Sequence, residues 1–241
     1  MKKYYSIILV LVVAIFLLSG TVSSQEKKGA RITIEEPNFD FGFAPEGTYM
    51  AHEFVIKNTG DEALDIKRVR TTCGCTSAPV KKMNLEPDEE TTITIVFNST
   101  RYFHKTSKAA IISSNDPTRP SEKVTFIADM DTVKPRSITP NPRIIDLGKG
   151  DKFSRTATAT IKNISESALT IQIIDYFSEF LDEPPLTAIP LPVGESVDVT
   201  VPVKEEIPAE EFVRASFTVA AMDKDGLELS RITIPVFGGG E

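Results

Sequence analysis

The amino-acid sequence predicts an all-β protein made of two tandem immunoglobulin-like β-sandwich domains after an N-terminal signal peptide. Three observations support this fold class: apolar residues alternate with polar ones in short runs, turn-forming residues separate those runs, and the second half of the chain repeats the first. The expected boundaries are 1–24 for the signal peptide, 31–132 and 143–238 for the two domains, and 133–142 for a linker between them.

The first 24 residues have the pattern of a secretory signal. Lys2 and Lys3 precede an apolar run over 7–18, and small or polar residues follow it. The apolar run is shorter than the roughly 20 residues that a membrane span needs. We therefore expect cleavage before Gln25 rather than retention of the segment as a membrane anchor.

The first domain contains seven runs with the composition of short strands. Phe39, Phe41 and Phe43 illustrate the period of two, and Asn58 and Gly60 can adopt the positive φ angles of a tight turn. Seven short strands within about a hundred residues are typical of an immunoglobulin-like sandwich. The expected strands are 31–35, 38–43, 52–58, 64–72, 91–98, 108–114 and 123–128.

The second domain repeats the motifs of the first at an almost constant offset. Ile-Lys-Asn at 56–58 recurs at 161–163, and Ala-Leu-x-Ile at 63–66 recurs at 168–171. Pro135, Pro140 and Pro142 precede this copy and favour a stiff linker. The expected strands of the second copy are 144–147, 156–163, 169–175, 196–203, 213–221 and 231–237.

The charge of the chain argues against two classes of partner. Removing 1–24 takes away Lys2 and Lys3, so 27 minus 2 leaves 25 basic residues against 34 acidic ones, a net charge of −9. Such a surface repels phosphates and anionic lipid, so we expect no nucleic-acid partner and no membrane insertion after signal removal. The sequence also lacks Gly-x-Ser-x-Gly, His-Glu-x-x-His and a phosphate-binding glycine loop, so an ordinary hydrolase or nucleotide enzyme is not indicated.

Four motifs give the first domain a family resemblance. They are Phe-x-Phe-Gly at 39–42, Ile-Lys-Asn-Thr-Gly at 56–60, Cys-Gly-Cys-Thr at 73–76 and Ser-Asn-Asp-Pro at 114–117. In this order they resemble the bacterial domain of unknown function 1573 family, which is itself similar to the immunoglobulin-like ASPM, SPD-2 and Hydin modules and to the major sperm protein fold. The resemblance implies an envelope protein of a Gram-negative bacterium, often of the Bacteroidetes kind, and no known activity.

Cys73 and Cys75 are the candidate site. Ser178 and Phe180 occupy the equivalent positions in the second copy. Because the fold does not need the cysteine pair there, the pair in the first domain is expected to have a more specific role. Three interpretations are open: a local disulfide or two buried thiols, thiol-redox chemistry, and binding of a soft metal such as Cu(I) or Zn. Residues two apart in an extended strand are roughly 6.6 Å apart. A disulfide would therefore require Gly74 to bend the chain.

The two histidines, His52 and His104, are further metal candidates. A closed zinc site needs four ligands. In an immunoglobulin topology, His52 would open the second strand and His104 would precede the sixth, at the same pole of the sandwich as Cys73 and Cys75. A shared pole is not yet a shared site, because the pole is roughly 10–20 Å across on the spacings of the sheets.

The combined pattern predicts a non-enzymatic secreted protein of the periplasm or outer membrane, without a cofactor. We expect a tandem binding or adaptor module that contacts other envelope proteins through loops or an exposed sheet edge. The alternative is a thiol-redox or copper-handling protein that acts through Cys73 and Cys75. The sequence predicts no particular oligomeric state.

Overall fold

The computed structural model describes residues 29–185 and 188–240. The predicted signal peptide, 1–24, lies outside the described residues. Within them the regular structure is β-strand apart from a single 3₁₀ turn at Gly150–Lys152, which confirms the all-β prediction. This part of the chain contains no helix that is long and apolar enough to cross a membrane.

The first sandwich consists of two sheets, with the strand orders β1-β3-β7-β5 and β2-β9-β8-β4-β6. β1 pairs antiparallel with β3, whereas β2 pairs in parallel with β9, so the N-terminal segment crosses from one sheet to the other near Pro37. This arrangement is immunoglobulin-like. The strands are β1 (Ile32–Thr33), β2 (Asn38–Phe43), β3 (Tyr49–Asn58), β4 (Leu64–Thr71), β5 (Thr76–Ser77), β6 (Asn84–Leu85), β7 (Glu90–Asn98), β8 (Thr106–Ser114) and β9 (Ser121–Asp129).

The period of two decides which side chains fill the first core. On β3, Phe54 and Ile56 are fully buried, whereas Val55 between them is 49% exposed. Phe41 and Phe126 approach from the opposite sheet with their ring centroids 5.8 Å apart. The alternation that predicted the strands therefore also predicts their inward faces.

The second sandwich repeats this plan. One sheet has the order β10-β12-β15, and the other runs β14-β13-β16-β17, with β11 parallel to β17 as β2 is parallel to β9. The strands are β10 (Ile138–Asn141), β11 (Ile145–Asp146), β12 (Thr156–Asn163), β13 (Leu169–Tyr176), β14 (Ala188–Leu191), β15 (Ser196–Pro202), β16 (Val213–Met222) and β17 (Glu228–Gly238).

The structure differs from the sequence prediction within 133–142, the expected linker. This segment contains β10, in which Pro140 pairs with Ile161 of β12. β10 is an edge strand, where a proline on the open side removes no ladder hydrogen bond. The proline spacing therefore concealed a strand of the second sandwich.

One buried asparagine fixes the same turn in each sandwich. The side chain of Asn58 accepts a hydrogen bond from the amide of Gly60 (3.0 Å) and donates one to the carbonyl of Leu85 (2.9 Å). Asn163 likewise donates to the carbonyl of Leu191 (3.1 Å). Both asparagines are at most 1% exposed. The recurrence of Ile-Lys-Asn in the sequence therefore reflects a structural requirement for an amide that joins the turn to a distant strand.

The two sandwiches are joined into one sheet system. β17 pairs with β2 at Ile232 and Phe43, so a ten-stranded sheet spans both units. Ser216 of β16 is fully buried. Its hydroxyl accepts a hydrogen bond from the amide of Ala51 (3.0 Å) and donates one to the carbonyl of the same residue (3.1 Å). Thr233 of β17 donates to the carbonyl of Phe41 (2.7 Å). The junction is therefore a packed, hydrogen-bonded interface.

The Ser-Asn-Asp-Pro motif forms the turn between β8 and β9 and ties it to the start of the domain. Asp116 is 1% exposed and accepts hydrogen bonds from the amides of Ile32 (2.9 Å), Thr118 (2.8 Å) and Arg119 (3.0 Å). Burial acts to raise the pKa of Asp116, but these hydrogen bonds outweigh it and lower the pKa to about 2.

Because the folded pKa of Asp116 lies below its ordinary value, its contribution to stability is present above about pH 4 and is lost as the pH falls toward 2. The shift corresponds to about 2 kcal/mol of unfolding free energy. We expect Asp116→Asn to destabilise the protein at neutral pH and to flatten the decline of stability below pH 4. Denaturant unfolding of both proteins across this range checks it, and an unchanged pH profile in the variant would contradict it.

Gly42 allows β2 to approach β17, since its φ is +64° and a methyl group there would overlap the Arg231 carbonyl. Gly47 is a matched control, because its φ is +76° but no atom lies within 4 Å of an added Cβ. Gly47→Ala should cost only the backbone strain of about 1–2 kcal/mol. Gly42→Ala should cost clearly more and expose the junction to protease. Equal thermal stabilities of the two variants would show that the approach of the strands does not matter.

Candidate functional site

Cys73 and Cys75 lie directly after β4, where the chain leaves one sheet and joins the other as β5. The two residues form a disulfide with their Cα atoms 5.3 Å apart. An extended strand would hold them roughly 6.6 Å apart, and the bend over 72–75 shortens this distance. Gly74 is exposed, its φ is not positive and no atom lies within 4 Å of an added Cβ. The bend thus forms without a left-handed residue.

Two side chains contact the sulfur atoms, and one amide contacts the backbone of Cys75. The hydroxyl of Tyr102 donates to Sγ of Cys75 (3.2 Å), and Oγ1 of Thr76 lies 3.3 Å from Sγ of Cys73. The amide of Asn98 donates to the Cys75 carbonyl (2.9 Å). Both cysteines are half-buried, so the bond lies at the surface of the sandwich but is fixed by its neighbours.

The structure does not gather the predicted metal candidates into one site. His52 lies within β3, which begins at Tyr49, three residues earlier than expected, because Met50 and Ala51 are buried and extend the strand. His104 is exposed in the segment between β7 and β8. Within 29–185 and 188–240, no group of three or more His, Cys, Asp or Glu side chains could hold a metal ion.

His52 instead takes part in the contact between the sandwiches. Its ring stacks on Phe39 with centroids 3.6 Å apart, and its Nδ1 lies 3.1 Å from Oδ1 of Asp175 on β13. The neighbouring Glu53 accepts a hydrogen bond from Ser178. Burial acts to raise the pKa of Glu53, but hydrogen bonds from Ser178 and Lys81, with the charge of Lys81, lower it overall.

The residues that replace the cysteines in the second copy therefore have defined roles. Ser178, at the position of Cys73, contacts the first sandwich through Glu53. Phe180, at the position of Cys75, packs on the core of the second sandwich with its ring 5.7 Å from that of Phe177. Alignment of the two halves of the chain identified the two positions. It could not identify their contacts, because these depend on the junction between the sandwiches.

Strand β4, which leads into the disulfide, is an edge strand over most of its length. On one side it pairs with β8 from Ile66 to Thr71. On the other side β6 pairs only with Leu64 and Asp65. Beyond the start of β4, no described strand covers its outer side.

Two residues of β4 direct their backbone groups toward this open side. The amide of Thr72 donates to the carbonyl of Ala109 (2.9 Å), so residues at alternate positions face β8. Arg68 and Arg70 therefore face β8 with their backbone groups. Val69 and Thr71, the alternate residues, direct their N–H and C=O groups away from β8. The edge offers these groups to an added strand.

The side chains along this edge are basic. Lys67, Arg68 and Arg70 are exposed, and Lys123 of β9 lies on the same outer face, separated from Arg70 by Ile111. In the described part of the chain, none of the four cations lies within ion-pair distance of a carboxylate. We call the edge over 67–71, the disulfide bend over 72–75 and Lys123 the β4 surface.

In the second sandwich, the residue equivalent to Arg70 lies in the contact between the two sandwiches. The amide of Phe177 donates to the carbonyl of Ser216, as Thr72 does to Ala109, so Asp175 of β13 corresponds to Arg70 of β4. Asp175 contacts the first sandwich through His52. The same position is thus in an interface in one copy and open in the other.

Comparison with solved structures finds several proteins of low sequence identity. A protein of unknown function from Porphyromonas gingivalis W83 is 13% identical over 86% of this chain and 99% of its own, with a TM-score of 0.32. The YadV chaperone is 11% identical over 84% and 98%, with a TM-score of 0.35. A C. elegans MSP family member, WR4, is 11% identical over 44% and 100%, also with a TM-score of 0.35. No curated protein matches the chain.

The family comparison bears on the first sandwich. Residues 32–130 match the model of the family described as "Protein of unknown function (DUF1573)". The match begins at β1 and ends just after β9, so it covers the strands that carry the four sequence motifs and the Cys73–Cys75 disulfide. The first sandwich is therefore a domain of the unknown-function family DUF1573, as its motifs predicted.

Proposed function

We propose that the protein is a secreted, non-enzymatic adaptor of the bacterial envelope that binds other envelope proteins through the β4 surface. In this proposal the signal peptide directs the chain to the periplasm or the outer membrane, and the two sandwiches act as one body. The protein would need neither a cofactor nor nucleic acid for this role.

The observation that carries the proposal is that two corresponding positions make different contacts in the two copies. In the second sandwich, Asp175 and Ser178 contact the first sandwich at His52 and Glu53. In the first sandwich, the corresponding positions belong to the open edge and the disulfide bend. A surface that serves as a domain interface in one copy is suited to the same task in the other.

The edge of β4 supplies a mode of binding. Open N–H and C=O groups on an edge strand are available for strand addition, in which main-chain hydrogen bonds give affinity and side chains give specificity. The packed junction holds this edge in a fixed position relative to the second sandwich. An adaptor needs such a rigid arrangement in order to orient two partners.

Site-specific photo-crosslinking tests the binding function. A photoreactive phenylalanine analogue at position 70 would lie on the β4 surface, and the same analogue at position 162 would lie on the central strand β12, where Lys162 is exposed. We expect a defined adduct from position 70 in intact cells, identified by mass spectrometry as an envelope protein, and none from position 162. Absence of an adduct at position 70, or identical patterns at both positions, would contradict the proposal.

Replacing the disulfide separates binding from the redox and copper alternative. The ring closed by Cys73 and Cys75 is very small, so Cys73→Ser with Cys75→Ser should lower the unfolding free energy by only about 1–2 kcal/mol. We expect the crosslink from position 70 to persist in this double variant. Loss of the crosslink in a double variant that still melts cooperatively, together with copper that native mass spectrometry finds on the unmodified protein but not on the variant, would favour chemistry at the cysteines instead.

A further inference from the structure

We propose that the β4 surface binds an extended acidic segment of a partner protein, which adds to the edge of β4 as a strand and places carboxylates beside Arg68 and Arg70. This inference rests on the proposed binding function and specifies the chemistry of the partner. The backbone, the side chains and the charge of the surface each contribute to it.

The backbone requires an extended partner. Val69 and Thr71 together present two N–H and two C=O groups to the open side, spaced two residues apart. Only a chain in β conformation offers donors and acceptors with this alternation. The open stretch over 67–71 accommodates about five residues, or roughly 17 Å of strand.

The side chains require carboxylates at alternate positions of that partner. Arg68 and Arg70 lie two residues apart on the outer face of β4, so partner residues on the same face also recur every second position. Directly opposed residues on paired strands have Cβ atoms about 5 Å apart. A guanidinium binds a carboxylate through two parallel hydrogen bonds, which favours Asp or Glu opposite each arginine.

The charge of the surroundings points to the same partner. The chain carries a net charge of −7, yet this surface holds four cations without carboxylate partners. Glu122, which precedes Lys123 in the sequence, already pairs with Arg119 (3.3 Å). A strand that covered the arginines without supplying carboxylates would desolvate unpaired charges, so the surface selects against neutral segments.

A short synthetic peptide serves as the probe. We would use a fluorescent, end-capped peptide of seven residues in which Glu alternates with Val, and measure its binding to the purified protein by fluorescence anisotropy. Two controls separate backbone from charge: a peptide with Gln in place of Glu, and a Glu peptide with N-methyl groups on the amides that would face β4. We expect measurable binding of the parent peptide, weakened by salt, and loss of at least about tenfold in affinity for either control.

Matched variants locate the binding. Arg70→Glu and Lys162→Glu make the same change of charge at exposed strand positions, but only the first lies on the β4 surface. Arg70→Glu should weaken binding at least about tenfold, and Lys162→Glu less than about twofold. Equal effects of the two variants, undiminished binding of the N-methylated peptide, or stronger binding to anionic phosphatidylglycerol vesicles than to the peptide would overturn the inference.

The outcomes distinguish this inference from the binding function itself. If position 70 crosslinks to an envelope protein but the acidic peptide neither binds nor reduces that crosslink, the adaptor function stands and the acidic strand is wrong. If the peptide binds but no envelope protein is captured at position 70, the surface chemistry is right and the proposed adaptor function is wrong.

Discussion

The contact between β16–β17 and β2–β3 joins the two sandwiches and fixes which of their surfaces remain exposed. Both faces of β16 are buried, one in the second core and the other against the first sandwich, where Ser216 bonds to both backbone groups of Ala51. Small and hydroxyl-bearing side chains at this interface allow two sheets to approach closely while their polar atoms remain paired. The junction partly buries Asp175 of the second sandwich, whereas Arg70, the corresponding residue of the first, is exposed on the β4 surface.

Much of the fold could be predicted because it rests on local patterns. Alternation predicts inward residues such as Phe54 and Ile56, and the recurrence of Asn58 as Asn163 predicts that the two halves share a topology. β10 was missed because Pro140, which usually ends a strand, is tolerated on an edge. On β16 the positions that alternate with the core residues, Ser216, Thr218 and Ala220, are small or hydroxyl-bearing rather than charged, and this was the available signal for a strand buried on both faces.

The candidate site could be predicted only in part. The Cys-Gly-Cys motif identified the disulfide bend, and the repeat showed that the fold does not need it. The place of His52 could not be predicted, because it depends on Asp175, which the junction brings to it from the other sandwich. The open edge of β4 also depends on a non-local fact, the shortness of β6, although Lys67, Arg68 and Arg70 are visible in the sequence as an unusually basic run.

Hydrogen exchange of individual β4 amides, followed by NMR with and without a bound partner, would show whether β4 is an open edge that accepts a partner strand. We expect the amides of Arg68 and Arg70, which face β8, to be protected in the free protein. The amides of Val69 and Thr71 should exchange rapidly in the free protein and become protected when a partner strand binds. Protection of Val69 and Thr71 in the free protein, or binding that leaves their exchange unchanged, would contradict the claim that β4 is an open edge that binds a partner.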